Sequence, residues 1–211
     1  MTTRIDKLEA FAGTDLEDLC DVTDAAIVDG GGFGWLKPPA RSVLETYWKG
    51  VLLVPQRSLF VARLDGTISG SAQLVRPTRN NESRAFAAEL VSAFVAPWAR
   101  GHGLARGLVE AAEETASREG YRKLSLDVRE TQEAAIRLYE SLGYVRWGTN
   151  PDYACVAGQL IAGHYYTKDL RAGRRGPAKK KAKGKTAGPR AKRGAPRDED
   201  KRGAPSDKDR T

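Results

Sequence analysis

Cysteine and histidine are scarce in this chain of 211 residues, with two of each: Cys20 and Cys155, His102 and His164. Two cysteines close at most one bridge, which excludes a disulfide-stapled secreted scaffold and favours a reducing compartment, the cytoplasm by default. Two histidines and an unpaired cysteine spacing match no zinc pattern, so no metal is expected. Long apolar runs are also missing. Nothing approaches the roughly 18 residues of a membrane span, and Met1 to Cys20, dotted with Asp6, Glu9, Asp15, Glu17 and Asp18, lacks the apolar stretch of a leader peptide. From Arg171 onward there is no Val, Ile, Leu, Met, Phe, Tyr or Trp, so nothing in that stretch offsets the entropy of ordering it.

The formal charge of +8 suggests a polyanion binder, but it is unevenly placed. Residues 171–211 hold 16 Lys+Arg against 5 Asp+Glu, leaving 19 against 22 for residues 1–170. The expected organisation is therefore one mildly acidic domain, 1–170, followed by a disordered basic tail, 171–211. Within the tail Lys192–Asp200 is repeated, with changes, as Lys201–Asp209, after the lysine-rich run Lys179–Lys185. Such low-complexity sequence would hold nucleic acid without base specificity, or act only as a solubilising extension.

Local patterns divide the domain. Thr14-Asp15-Leu16-Glu17 has capping-box spacing and opens a helix that stops at Gly30-Gly31-Gly32; a second follows Pro38-Pro39 and carries Val43, Leu44, Tyr47, Trp48 and Val51 before Pro55. The aromatic loop between them, Phe33 to Leu36, suits either a core plug or a substrate lip. Leu59–Leu64 and Thr67–Val75 around Asp65-Gly66 read as a hairpin, and Ala85–Val95 as a longer strand. A helix over Gly103–Glu119, a strand with alternating Leu124, Leu126 and Val128, a helix over Thr131–Leu142, and strands at Tyr144–Gly148 and His164–Leu170 complete the domain. Pro151–Gly163 reads as irregular. The order α α β β β α β α β β predicts an α/β or α+β single domain, a mixed sheet with helices on it.

Chemistry concentrates where the long strand turns into the third helix, Val95-Ala96-Pro97-Trp98-Ala99-Arg100-Gly101-His102-Gly103-Leu104-Ala105-Arg106-Gly107. Glycines there allow a ligand close to the backbone, and the new helix offers unpaired N–H groups and its positive end to an anion. A P-loop is excluded because Gly-Lys-Ser/Thr is absent, and a dinucleotide fingerprint because position 106 is Arg. Arg100-x-x-Gly103-x-Ala105 after a strand resembles the acetyl-CoA pyrophosphate loop of the GNAT superfamily of N-acetyltransferases. The stretch Val128 to Tyr144 is similar to the family's second signature, with Gln132 where Asn is usual, Tyr139 at the tyrosine position and Leu142-Gly143-Tyr144 at its close. The resemblance spans roughly Thr14 to Leu170 and implies a GNAT-like fold: a central mixed, mostly antiparallel sheet flanked by helices.

The resemblance implies that acetyl-CoA is the donor co-substrate and that an amine of a small molecule or protein attacks it directly in a ternary complex. Its diphosphate would sit on the N–H groups of Arg100, Gly101, His102, Gly103, Leu104, Ala105 and Arg106, with the Arg100 and Arg106 side chains either assisting or facing water. The pantetheine arm would run along Ala93, Phe94 and Val95, and Gln132 would stand at a cofactor contact. Tyr139 is the candidate proton donor to the departing sulfur, or a core tyrosine. Glu89 is the candidate base, on the face of Ala93 and Val95 if the strand is unbulged; deprotonation through water and backbone carbonyls is the alternative. Tyr153 and Cys155 are candidates for the acceptor pocket. The competing functions are a nucleic-acid-associated protein localised by its tail and a CoA-binding module without catalysis; a monomer or homodimer suits each.

Overall fold

The computed structural model describes residues 1–31 and 33–171. In chain order its elements are β1 (Thr3–Leu8), α1 (Asp15–Val28), α2 (Arg41–Leu53), β2 (Arg57–Leu64), β3 (Thr67–Val75), β4 (Ala87–Val95), α3 (Leu104–Arg118), β5 (Lys123–Arg129), α4 (Glu133–Ser141), β6 (Val145–Val156) and β7 (Gln159–Asp169). Short 3-10 turns occupy Glu82–Arg84 and Pro97–Ala99. The tail expected to be disordered lies, apart from Arg171, outside the described residues.

The strands form one sheet in the order β1-β2-β3-β4-β5-β7-β6. Neighbours are antiparallel except β4 and β5, the parallel pair that α3 connects as a crossover. Both faces of the middle strands are covered, which is why Leu59-Phe60-Val61-Ala62 is continuously apolar. Phe60 and Ala62 join Leu104, Leu108 and Ala112 of α3 in one core. Leu59 and Val61 join Leu19 and Ile27 of α1 and Leu44 and Trp48 of α2 in another. Asp65 (φ 49°) and Gly66 (φ 92°) make the left-handed turn their sequence predicts between β2 and β3.

Three expectations are corrected. Strand β1 escapes the hydrophobic pattern because Thr3–Leu8 offers only Ile5 and Leu8. Backbone pairing with β2 makes it a strand, and Arg63 pins it by pairing with Asp6 at 2.9 Å and with Asp15 of α1 at 2.8 Å. The Thr14 capping box does not form, since the Thr14 side chain makes no cap hydrogen bond; the Asp15 carboxylate instead accepts from the Ala12 N–H at 3.2 Å. Pro151–Gly163, expected to be irregular, instead finishes β6, turns at Ala157-Gly158 and begins β7. Its irregularity survives as a bulge: Asn150 faces Gly163 whereas Ala154 faces Ile161, so Pro151 to Tyr153 stand against a single residue.

Candidate active site

The site begins where the sheet comes apart. Strands β4 and β5 pair only at Ala87–Lys123, Ala88–Leu124 and Glu89–Ser125 and then separate, leaving the β5-facing edge of β4 without a strand partner. The register of β4 against β3 slips at the same place, since Gln73 faces Val91 but Ser71 faces Phe94. The extra residue is accommodated at Ser92, whose φ of 50° is left-handed, a conformation that costs a non-glycine residue on the order of 1–2 kcal/mol. Buried polar groups hold it. Gln73 donates to the Tyr47 hydroxyl at 3.0 Å, that hydroxyl lies 3.4 Å from Ser92 Oγ, and Ser71 Oγ donates to the Ser92 carbonyl at 3.5 Å. Gly70 permits the close approach, because a Cβ there would stand 2.5 Å from the Phe94 carbonyl oxygen.

The bulge reverses the strand's alternation. Ala88 and Leu90 face the α3 core before it, and Ala93 and Val95 do so after it. Glu89 therefore does not share a face with Ala93 and Val95, as an unbulged strand would require. Its carboxylate is about half exposed, pairs with Arg84 at 3.5 Å, and lines neither of the clefts described below.

Beyond β4, the Pro97–Ala99 turn leads through Gly101 (φ 84°) and Gly103 (φ 76°) into α3. No side chain caps α3, so the N–H groups of its first turn are free to meet a ligand. They open on a cleft of about 660 Å³ lined by Ala93–Val95, by Arg100–Arg106 except His102, and by Gln132 and Tyr139. The His102 ring turns back instead, with Nδ1 3.0 Å from the Arg100 carbonyl oxygen and 3.2 Å from that of Ala99. Three other polar side chains of the cleft are engaged within the protein. Arg100 makes a short ion pair with Asp29, Arg106 donates to Ser141 at 2.8 Å and lies 3.6 Å from Glu110, and Gln132 donates to the Gly30 carbonyl at 2.8 Å.

A second cleft, about 510 Å³, adjoins the first and shares Ala93, Gln132, Ala135 and Tyr139 with it. Tyr139 stands at this junction, packed edge-on to Tyr144 and almost fully buried. Burial, with a smaller contribution from the charge of Asp127, pushes its hydroxyl up to about 12, so it remains a proton donor at neutral pH. The aromatic loop plugs the core with Phe33, buried against Phe94, while Gly34 and Leu36 border the second cleft.

Tyr153 and Cys155 both line the second cleft, Tyr153 carried there by the β6 bulge. Its ring lies flat against Gly163, and its hydroxyl donates to Asp127 Oδ2. Burial first, then that bond, raises its ionisation well above the usual tyrosine value. Two charged residues that line the second cleft were passed over in the sequence, Asp127 and Arg129. The signal was the alternation of Leu124, Leu126 and Val128, which commits the intervening side chains of β5 to the opposite face.

A family model described as "Acetyltransferase (GNAT) family" matches residues 24–144. A curated protein of Azospirillum brasilense, described as an uncharacterized N-acetyltransferase in the hisH-hisA intergenic region, is 61% identical over 128 residues, covering 61% of this chain and 76% of its own. Among solved structures, an N-acetyltransferase from Staphylococcus aureus Mu50 has a TM-score of 0.70 at 22% identity, covering 81% of this chain and 99% of its own. An acetyltransferase from Salmonella typhimurium, solved with its cofactor acetyl-CoA, has a TM-score of 0.65 at 20% identity, covering 80% and 94%. At such identities the two structures share the fold.

Proposed function

The chain belongs to the acetyltransferase (GNAT) family, uses acetyl-CoA, and, we propose, passes the acetyl group directly to a primary amine bound in the second cleft. One observation carries this reading: two clefts at the parting of β4 and β5 share Ala93, Gln132, Ala135 and Tyr139, which gives a thioester in one and an amine in the other a common point of contact.

The uncapped N–H groups of α3 and the turn through Gly101 and Gly103 hold the diphosphate, assisted by Arg106. The open edge of β4 over Ala93–Val95 pairs with the pantetheine amides, and a backbone N–H beside the bulge polarises the thioester carbonyl. Asp127, the acid that lines the acceptor cleft, takes a proton from the incoming ammonium, directly or through water. Nitrogen attacks the carbonyl carbon, the carbon–sulfur bond breaks, and the sulfur accepts a hydrogen bond and then a proton from Tyr139. Tyr139 regains its proton from the nitrogen by way of water. Since a thiol ionises near 8.5, complete transfer from a phenol near 12 is uphill, and the main contribution of Tyr139 is the hydrogen bond. Cys155 has no neighbouring histidine to activate it, which favours the ternary complex over an acyl-cysteine route. The free cysteines Cys20 and Cys155 support a reducing, cytoplasmic setting.

Release of CoA thiol with a panel of amines tests the reading. Asp127→Asn is expected to lower kcat by about 10²–10⁴ with CoA affinity unchanged, and Glu89→Gln to leave both in place. The opposite pattern returns the base to Glu89. The net charge of the tail favours a second reading, in which residues 171–211 retain the domain 1–170 on nucleic acid. Deleting the tail is then expected to abolish salt-sensitive retention while preserving turnover on a free amine.

A further inference from the structure

The second cleft carries one carboxylate and one guanidinium on a single strand face. Asp127 and Arg129 are alternate residues of β5, so their side chains leave the same side with Cα atoms about 6.7 Å apart. Neither neutralises the other, because among the described residues no carboxylate lies within 4.0 Å of a nitrogen of Arg129. The half-buried guanidinium uses Nη2 to donate to the Phe33 carbonyl at 2.7 Å, and the remaining donors of its fork are not bonded within the described protein. Asp127 receives the Tyr153 hydroxyl on Oδ2 and leaves Oδ1 to the cleft.

A partly buried cation without a counter-charge is a standing cost that a bound anion removes. Anchoring the Phe33 carbonyl does not explain the charge, since a glutamine could make that bond. The two charges are also ordered along the cleft. Asp127 is near enough to Tyr139 to raise its ionisation, which puts the acid beside the gap in the sheet. Arg129, two residues further along β5, is bonded to the Phe33 carbonyl in the loop between α1 and α2. An acceptor held by both would therefore present its amine to the thioester and its anion to the loop.

Resting on the acetyl-transfer reading above, we propose that the acceptor is a small zwitterion: a primary amine with a carboxylate or phosphonate a few bonds away, its ammonium on Asp127 and its anion on Arg129. A simple amine leaves Arg129 uncompensated, a diamine sets a cation against it, and the terminus of a polypeptide offers a neutral amide where the anion belongs.

The test compares kcat/KM, by release of CoA thiol, across matched acceptors in the full chain: common α-amino acids, their carboxamides, the amines lacking the carboxyl carbon, α-aminophosphonates and amidated peptides. Free acids or phosphonates are expected to exceed their neutral counterparts by about 10–100-fold, the worth of a charge-assisted hydrogen bond. The phosphonate series decides which anion is preferred. Arg129→Gln is expected to remove that ratio by lowering kcat/KM for the free acids and phosphonates to the level of their neutral counterparts, and Arg129→Lys to retain it in part. Equal use of acids and carboxamides, a preference for peptides, or a uniform loss across all acceptors in Arg129→Gln overturns the zwitterion and leaves acetyl transfer standing. Failure to consume acetyl-CoA with every amine overturns acetyl transfer itself, and the proposal with it.

Discussion

Replacing Gly163 by alanine asks whether the second cleft, the proposed acceptor site, is shaped by one aromatic ring lying on one glycine. A Cβ at 163 would stand 2.1 Å from Tyr153 Cγ and 2.5 and 2.6 Å from its two Cδ atoms. These atoms belong to the root of the ring, so the ring itself must leave the strand. The backbone presents no obstacle, since Gly163 is not among the residues with positive φ. Displacing the ring breaks its hydroxyl bond to Asp127, which after allowance for solvent is worth about 1 kcal/mol. It also breaks the edge-on contact with Tyr165 at 6.2 Å between centroids, worth about 0.5–1 kcal/mol. Alanine returns about 0.4–1 kcal/mol by restricting the unfolded chain. The net loss is about 1 kcal/mol, or roughly 2–4 °C in Tm for a domain of this size. Thermal melts of Gly163→Ala, Tyr153→Ala and the double variant form a cycle. With the ring removed, alanine at 163 is expected to be neutral or stabilising. An equal loss in both backgrounds would refute the stacking argument, as would an acceptor KM that rises in neither Gly163→Ala nor Tyr153→Phe.

The buried Tyr139 hydroxyl, near 12 against about 10 in the unfolded chain, gives the fold stability that is fully present below pH 10 and lost as pH rises toward 12; melts of Tyr139→Phe should show a shallower decline over that window. The same variant should lower kcat about 10–100-fold with the Kd for CoA unchanged, and a pH profile should show no loss from Tyr139 below roughly pH 11. Gly103→Val places a β-branched residue at φ 76° and should weaken CoA binding about tenfold or more, because 1–2 kcal/mol of strain is relieved by turning the first N–H groups of α3 away from the diphosphate. Asp29→Asn should have the opposite sign: it removes an acid from the diphosphate cleft and frees Arg100, so calorimetry should give CoA binding roughly two- to fivefold tighter.

The proposed diphosphate loop was legible in the sequence because its geometry is local. Glycine at 101 and 103, and a helix starting without a side-chain cap, fix where the N–H groups point, and neighbours in sequence are neighbours in the cleft. The second cleft was less so, because it depends on a register slip in β4 that leaves no local mark and on one in β6 that the sequence marks only as an irregular stretch at Pro151. Ser92 takes a left-handed φ although nothing in Leu90-Val91-Ser92-Ala93 asks for it. The conformation is held from afar, by Tyr47 of α2 and Ser71 of β3, and made possible by the missing Cβ of Gly70. That single residue decides which acid is available. Without it the alternation of β4 would carry Glu89 to the face of Ala93 and Val95, and with it Glu89 is left beside Arg84 in solvent. On β5, which has no such slip, the plain alternation of Leu124, Leu126 and Val128 already assigns Asp127 and Arg129 to one face. What the sequence conceals is the partner that makes the assignment useful, since Tyr153 reaches Asp127 only through the slip in β6 that lays its ring on Gly163. Register, which depends on contacts distant in sequence, thus governs the proposed acceptor cleft, while the proposed coenzyme cleft follows from local backbone geometry.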